Sequence, residues 1–359
     1  MLNLKALSKK EVESFVRESG LPVFRARQLL HWIYEKHVRS IDEITEFSKD
    51  LRQKLSEQAY LSNLELLTRQ VSVDGTEKFL FGLEDGESME SVLIPDKGRL
   101  TLCISSQVGC ALGCVFCLTG KLRLKRNLRA YEIVDQIISV LRGGVKITNI
   151  VFMGMGEPLA NFDEVVEALW RMTELMKISK RKITLSTSGI APRILELAQK
   201  APHVNLAISL NATTDEVRDK VMPVNKKYPL KALMGACRKF PLEPRRRITF
   251  EYVMLGGIND SEDDAKRLIK LLRSIPCKVN LIPFNPYGGC EYKRPSEDAV
   301  EGFQRILLEG NLTALIRKSK GQDILAACGQ LKAGYGPMFR TELLESLKKA
   351  SGKGGVQKG

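Results

Sequence analysis

Three closely spaced cysteines are the residues of this sequence best suited to chemistry. Cys110, Cys114 and Cys117 form a C-x-x-x-C-x-x-C pattern on one short segment. Three thiolates can hold three irons of a cubane cluster and leave the fourth iron open. A structural zinc site needs four ligands, but the other cysteines give no second C-x-x-C pair and the chain has only three histidines. The pattern predicts an iron–sulfur cluster.

A glycine-rich turn is the second candidate site. Gly154-Met155-Gly156-Glu157-Pro158 follows a predicted strand over 149–153. Glycines let the backbone approach a ligand closely, and the Glu157 carboxylate can face an ammonium group. A tight turn after a strand would also use Gly and Pro, so the motif alone leaves both interpretations open.

Composition narrows the class of protein. The chain has 359 residues, 43% of them hydrophobic, and a formal net charge of +14, which favour a globular protein with a polyanionic partner. A basic surface can also serve solubility alone. Eight cysteines are poorly explained as disulfides in so long a chain, and neither a signal peptide nor a membrane span is evident. We therefore expect a cytoplasmic protein that does not enter a membrane.

The pattern of elements predicts where these residues lie. Residues 1–62 are expected to form a small helical domain and 63–98 a short β extension. The cysteine loop follows a predicted strand over 99–105, and strands and helices then alternate through 99–320. This alternation predicts an α/β fold, a partial (β/α)6 barrel whose active site lies at the carboxyl ends of its strands. A final segment over 321–350 and a disordered tail over 351–359 complete the expected organisation.

The cysteine spacing, placed at the first β/α connection, resembles that of the radical S-adenosylmethionine (SAM) superfamily. The resemblance implies one [4Fe-4S] cluster, bound by Cys110, Cys114 and Cys117, whose open iron chelates the methionyl group of SAM. Reductive cleavage of SAM then gives a 5′-deoxyadenosyl radical. Gly154 to Pro158 is similar to the SAM-binding element of these enzymes.

Further motifs resemble the RNA adenine-C2 methyltransferase family over nearly the whole chain. They lie at residues 103–110, 125–128, 185–189, 207–212, 281–286 and 323–331. The family methylates carbon 2 of an adenine in 23S ribosomal RNA and of an adenine in the anticodon loop of transfer RNA. After Cys117 the sequence departs from the family pattern at Leu118–Leu124. We expect cluster binding to be retained, and the family's substrate contacts are not carried over to these residues.

The resemblance implies a role for three further residues. Cys328 accepts a methyl group from one SAM, and a second SAM supplies the radical that activates it. Cys103 then attacks Cys328, forms a disulfide and releases the methylated base. Glu90 removes the carbon-2 proton, although from the sequence alone it would be an exposed strand residue.

The same resemblance implies a set of SAM contacts at predicted strand ends. They are Gly156, Glu157, Ser186, Ser209, Leu210, Asn211 and Asn285. For Ser186 and Asn211, helix N-capping is the alternative.

The implied partners are 23S ribosomal RNA, transfer RNA and an electron donor of the flavodoxin or ferredoxin type. We expect the enzyme itself to be a monomer. Basic runs at 180–182, 226–227, 245–247 and 317–320, and cations over 25–39, are candidates for phosphate contacts or solvated surface. Cys237 and Cys277 are expected to be buried structural thiols.

Two other functions stay open at this point. A sister family methylates carbon 8 of the same ribosomal adenine with the same five cysteines, and the cysteine count does not separate the two. An iron–sulfur protein that binds RNA and senses redox state without catalysis is the other alternative.

Overall fold

The computed structural model of the protein describes residues 1–287 and 290–331. The helices are α1 (Lys9–Glu18), α2 (Phe24–Tyr34), α3 (Lys49–Gln58), α4 (Ala130–Arg142), α5 (Phe162–Trp170), α6 (Ala191–Lys200), α7 (Asp215–Val221), α8 (Leu230–Lys239), α9 (Glu262–Leu272) and α10 (Glu297–Glu309). The strands are β1 (Leu2–Asn3), β2 (Ala59–Tyr60), β3 (Glu65–Val71), β4 (Glu77–Gly82), β5 (Ser88–Asp96), β6 (Arg99–Cys103), β7 (Gln107–Val108), β8 (Arg126–Asn127), β9 (Asn149–Phe152), β10 (Ile183–Thr187), β11 (Asn205–Ser209), β12 (Ile248–Met254), β13 (Cys277–Pro283) and β14 (Ala314–Ile316).

One ten-stranded sheet organises the described chain. Its order is β14-β13-β12-β11-β10-β9-β6-β5-β4-β3, and every pair from β6 through β9 to β14 is parallel. Helices follow each of the strands β6 and β9 to β13, which gives six β/α units. The expected partial (β/α)6 barrel is therefore confirmed.

The sequence explains why the barrel strands are central. Strands β10 to β13 are mostly buried and rich in Ile, Val, Leu and Phe, as expected for parallel strands covered on both faces. Helix α9 places Ala265, Leu268 and Leu272 in the core, at the three- and four-residue spacing of one helix face. This packing fixes the strand ends, and with them the site.

The β extension is continuous with the barrel rather than a separate sheet. Strands β3, β4 and β5 form an antiparallel meander, and β5 pairs with β6, the first barrel strand. In this register Val92 lies opposite Cys103. The extension therefore carries its side chains to the edge of the barrel interior.

The N-terminal segment packs on the barrel through buried polar contacts. Lys5 Nζ lies 2.8 Å from a carboxylate oxygen of Asp135 on α4, and both side chains are almost fully buried. Arg171, just after α5, donates hydrogen bonds to the Leu7 carbonyl at 3.0 Å and the Tyr34 hydroxyl at 3.1 Å. The segment is mainly helical as expected, with β1 and β2 forming one short parallel pair.

Four features were not expected from the sequence. They are the short helix α7, the two-residue ladder β7–β8, the three-residue strand β14 and a π-helical turn over Arg171–Leu175 that continues α5. The expected tail, and all but the first part of the segment expected over 321–350, lie outside the described residues. No helix of the described chain is long and apolar enough to cross a membrane.

Candidate active site

A cavity of about 220 Å³ lies at the carboxyl ends of the barrel strands. All but two of the site residues predicted from the sequence line this cavity. The lining residues among them are Cys103, Cys110, Cys114, Cys117, Gly156, Glu157, Ser186, Ser209, Asn211, Asn285 and Cys328. The two others, Glu90 and Leu210, are not part of this lining. The fold thus brings together residues up to 225 positions apart in the chain, from Cys103 to Cys328 (328 minus 103).

The cysteine loop is closed at its base by the β7–β8 ladder. Lys125 N donates to Val108 O at 2.9 Å, so the chain leaves and returns at one point. Gly109 sits at this point with φ +76°, and a Cβ there would lie 2.3 Å from Arg123 O. Only glycine fits such a position without moving the backbone.

The three thiols of the cysteine loop line one cavity. No group of three or more His, Cys, Asp or Glu side chains in the described chain is arranged to hold one ion. In a cubane each thiolate binds a different iron, so the sulfurs need not converge on one point. Burial raises the pKa of Cys110 to about 11 and that of Cys114 and Cys117 as well. Cluster binding must therefore displace thiol protons.

The Glu157 carboxylate holds the turn after β9 against the end of β10. Its Oε1 accepts from Thr187 Oγ1 at 2.6 Å and from Leu159 N at 3.0 Å, and its Oε2 accepts from Ser188 N at 2.7 Å. Burial raises the pKa of Glu157, and these hydrogen bonds oppose that shift. A carboxylate has about four acceptor positions, so three protein donors leave little of it for a ligand. The expected contact with an ammonium group stays a prediction.

Gly156 allows the same turn to pass close to β7. Its φ is +96°, and a Cβ there would lie 2.5 Å from the Gln107 Cβ. Gln107 Oε1 accepts from Glu157 N at 2.9 Å. The glycine in this motif is therefore required by close backbone approach.

The other predicted SAM contacts lie at strand ends. Ser186 is within β10 and Ser209 ends β11. Asn211, at φ +57°, accepts from Val253 N at 2.8 Å. Helix capping explains neither Ser186 nor Asn211, because α6 and α7 begin after Ile190 and Thr214. The capping alternative is wrong.

Leu210 and Asn285 join these strand ends to other parts of the site. Leu210 is fully buried, and its backbone N donates to Glu251 O at 3.0 Å. Asn285 Oδ1 accepts from Ser319 Oγ at 2.5 Å and from Gln322 Nε2 at 3.3 Å. Asn285 therefore links the barrel to the segment that carries Cys328.

Cys328 lies on a segment that is held against the cysteine loop and the β extension. Leu118 N donates to Gly329 O at 2.6 Å, and Gly321 N donates to Asp74 Oδ2 at 3.0 Å. Cys328 remains accessible to solvent within the cavity, although protein atoms surround it and raise the pKa of its thiol. An accessible sulfur on an anchored segment suits a methyl-accepting thiol.

Cys103 is buried at the end of β6. Burial raises the pKa of its thiol to about 12, and the charge of Cys328 adds to this effect. Both residues are free thiols in the structure. The two cysteines are therefore electrostatic neighbours within one cavity.

Glu90 lies on β5, two residues before Val92, and therefore shares its face of the strand. Val92 and Ile94 line the cavity. The Glu90 side chain is buried, and its carboxylate lies 3.4 Å from Lys78 Nζ. Ser105 Oγ donates to the Glu90 carbonyl at 2.6 Å. The expectation of an exposed strand residue is wrong, since Glu90 faces the barrel side of the extension.

Glu251 was not among the site residues expected from the sequence. It lies on β12, is buried and lines the cavity, and its Oε1 accepts from Asn280 Nδ2 at 2.8 Å. The available signal was a charged residue within the mostly apolar run 248–255.

The basic runs lie at different ends of the barrel strands. Arg317, Lys318 and Lys320 line the cavity, whereas residues 180–182 and 245–247 come just before β10 and β12, at the opposite strand ends.

The barrel, the cysteine loop at its first β/α connection and the glycine turn after β9 define the radical SAM class. The model of the radical SAM superfamily matches residues 104–271, and that of the ribosomal RNA large subunit methyltransferase N-terminal domain matches residues 2–61.

Known proteins give the same result over almost the full length. The dual-specificity RNA methyltransferase RlmN of Pelobacter propionicus is 56% identical over 92% of this chain and 95% of its own. That of Geobacter sulfurreducens is 54% identical, with 92% of each chain covered. A crystal structure of a radical SAM methyltransferase from Sphaerobacter thermophilus is 41% identical with a TM-score of 0.88, covering 93% of this chain and 100% of that one.

The chain belongs to the dual-specificity RNA methyltransferase RlmN family. The expected function, that of a radical SAM RNA methyltransferase, is confirmed, and so are its cofactors, one [4Fe-4S] cluster and two SAM per turnover. The alternative of a non-catalytic iron–sulfur protein is wrong.

Proposed function

We propose that this enzyme methylates carbon 2 of an adenine in 23S ribosomal RNA and of an adenine in transfer RNA, by way of an S-methylated Cys328. The observation that carries the proposal is that Cys103 and Cys328 share one cavity with the three-cysteine loop. Neither thiol is needed to hold a cluster, and each has a place in a two-thiol methyl transfer. The curated relatives are named as RNA methyltransferases of dual specificity.

The remaining cavity residues hold the cofactors. Cys110, Cys114 and Cys117 bind the cluster, which with SAM supplies an electron and the 5′-deoxyadenosyl radical. The SAM site is formed by Gly156, Glu157, Ser186, Ser209, Leu210, Asn211 and Asn285. Both SAM molecules of one turnover are used in this cavity, in succession.

Cys328 carries the methyl group through the reaction. Carbon 2 of adenine is electron-poor and has no lone pair, so it cannot attack the methyl of SAM itself. The Cys328 sulfur, after losing its proton, displaces the methyl from SAM as a nucleophile. The S-methyl group gives a hydrogen atom to the 5′-deoxyadenosyl radical, which becomes 5′-deoxyadenosine, and the resulting methylene radical bonds to carbon 2. Loss of one electron, for which the oxidised cluster would be the acceptor, and of the carbon-2 proton leaves protein and RNA joined by a thioether.

Glu90 and Cys103 complete the cycle. Glu90 accepts the carbon-2 proton, and its buried position beside Lys78 keeps a carboxylate close to the cavity. The Cys103 thiolate attacks the Cys328 sulfur, and the C–S bond breaks as the S–S bond forms. The released carbon keeps the bonding electron pair and takes up a proton, which makes it the methyl group of the product. An external reductant returns both cysteines to thiols, consistent with work in the reducing cytoplasm on an electron donor of the flavodoxin or ferredoxin type.

The last part of the proposal concerns binding to RNA. The domain over 1–62 and the cations Arg317, Lys318 and Lys320 at the cavity contact RNA phosphates, and the enzyme acts as a monomer. Arg317 and Lys318 are exposed, as phosphate contacts require.

The test is anaerobic reconstitution with iron, sulfide, SAM, reductant and a ribosomal RNA fragment, followed by mass analysis of the nucleosides. We expect 2-methyladenosine together with 5′-deoxyadenosine. Finding 8-methyladenosine instead would place the enzyme with the sister activity.

A further inference from the structure

A buried cation lies beside the cysteine loop without a carboxylate partner. Arg218 on α7 is 0% exposed, and no described Asp or Glu oxygen forms an ion pair with it within 4.0 Å. A buried charge normally requires a partner of opposite charge. The carboxylates of Asp215 and Asp219 are instead bound by Asn225 Nδ2, at 2.9 and 2.8 Å.

The hydrogen bonds of Arg218 go to neutral acceptors at the strand ends. Nε donates to Leu210 O at 2.9 Å, and Nη2 donates to Ser188 O at 2.7 Å and Ser209 O at 3.1 Å. Nη1 donates to Asn225 Oδ1 at 3.0 Å. One planar guanidinium thus joins the segments after β10 and β11, where Ser186, Ser209 and Leu210 are placed.

Helix α7 also contacts the cysteine loop directly. Val221 O accepts from Val115 N at 3.1 Å, and Cys114 packs with Val221 and Met222 in one apolar cluster. Arg218 is therefore a fixed positive charge on a helix that is hydrogen-bonded to the cysteine loop.

We propose that Arg218 is the counter-ion of the iron–sulfur cluster, and that its fixed charge raises the cluster's reduction potential while its hydrogen bonds hold the SAM-contacting strand ends. The inference rests on the proposed cluster binding by Cys110, Cys114 and Cys117. Reduction adds a negative charge to a site that three thiolates already make anionic. A buried positive charge stabilises the reduced form more than the oxidised form, because low polarity strengthens the attraction.

The test is a potentiometric titration of the anaerobically reconstituted enzyme, followed by electron paramagnetic resonance. Arg218→Gln should disfavour reduction about tenfold, a shift of about 59 mV to more negative potential for a one-electron couple. Arg218→Lys keeps the charge but not the planar fork, so we expect a potential near that of the wild type and weaker SAM binding.

Arg171→Gln is the matched control, because Arg171 is also buried and bonded to backbone carbonyls but lies at the N-terminal segment. Its potential should not move. An unchanged potential in Arg218→Gln, or an equal shift in Arg218→Gln and Arg218→Lys, would overturn the charge role.

A second variant keeps the inference testable if Arg218→Gln fails to fold or to bind the cluster. Asp219→Asn removes a carboxylate that Asn225 Nδ2 binds at 2.8 Å, so it leaves the positive charge of Arg218 less compensated without touching Arg218. Its potential should become more positive, and an unchanged or more negative value would count against the inference. A wild-type enzyme that binds no cluster at all would contradict the proposed function instead.

Discussion

The two thiols proposed for methyl transfer differ in exposure, although surrounding protein atoms raise the pKa of both. Cys328 is accessible within the cavity, whereas Cys103 is buried at the end of β6 and its pKa is raised to about 12. An accessible thiol can meet two different substrates in turn, SAM and then adenine. A protected thiol reacts only with a partner brought to it, which suits a resolving cysteine.

Replacement of Cys328 should therefore stop the reaction at its first step. We expect Cys328→Ala to show no S-methylation by intact protein mass and no methylated nucleoside, with full iron content. Cys237→Ala is the matched control, because Cys237 is buried in α8 away from the cavity lining. Methylated RNA from Cys328→Ala would contradict the role of this thiol.

Glu90→Gln keeps the size of the side chain but removes the proton acceptor. We expect the rate of product formation in single-turnover experiments to fall about 10²- to 10⁴-fold, the usual contribution of a general base. Cys328 should still become methylated, because that step does not use Glu90. Glu87→Gln, at the half-buried position just before β5, is the control, and a wild-type rate for Glu90→Gln would assign the base to another residue.

At the scale of elements, the cluster depends on a loop that is closed by only two residue pairs, β7 with β8. Gly109→Ala would place a methyl group 2.3 Å from Arg123 O and force the base of the loop open. We expect iron content after reconstitution to fall several-fold while the circular dichroism spectrum is retained. Gly235→Ala on α8, where a Cβ meets nothing within 4 Å, should bind iron normally; equal iron content in both variants would contradict the loop's role.

Some of the structural elements could be predicted from the sequence, and others could not. Helices such as α9 and α10 have a clear apolar face and N-caps at Ser261 and Ser296, which is why alternating strands and helices could be predicted over 99–320. Strands of two or three residues have no periodicity to detect, so β7, β8 and β14 were missed. The internal bonds of Glu157 could not be predicted either, because its donors Thr187 and Ser188 come from another strand.

At the scale of the whole molecule, the buried Lys5–Asp135 pair connects the N-terminal segment to the barrel. Removing one partner leaves an uncompensated buried charge, so Lys5→Met should lower the free energy of unfolding by about 3–5 kcal/mol. The double variant Lys5→Met/Asp135→Leu should recover part of this loss. Urea denaturation measures both, and additive losses in the double variant would contradict a direct pairing.

The central claim is that a methyl group reaches RNA through a covalent protein–RNA intermediate that Cys103 resolves. The most direct measurement is denaturing electrophoresis and mass spectrometry of Cys103→Ala after anaerobic reaction with SAM and a ribosomal RNA fragment. We predict a stable adduct that joins Cys328 to the adenine by a methylene bridge, with Cys277→Ala giving none. Free, fully methylated RNA from Cys103→Ala, without an adduct, would contradict the two-thiol mechanism.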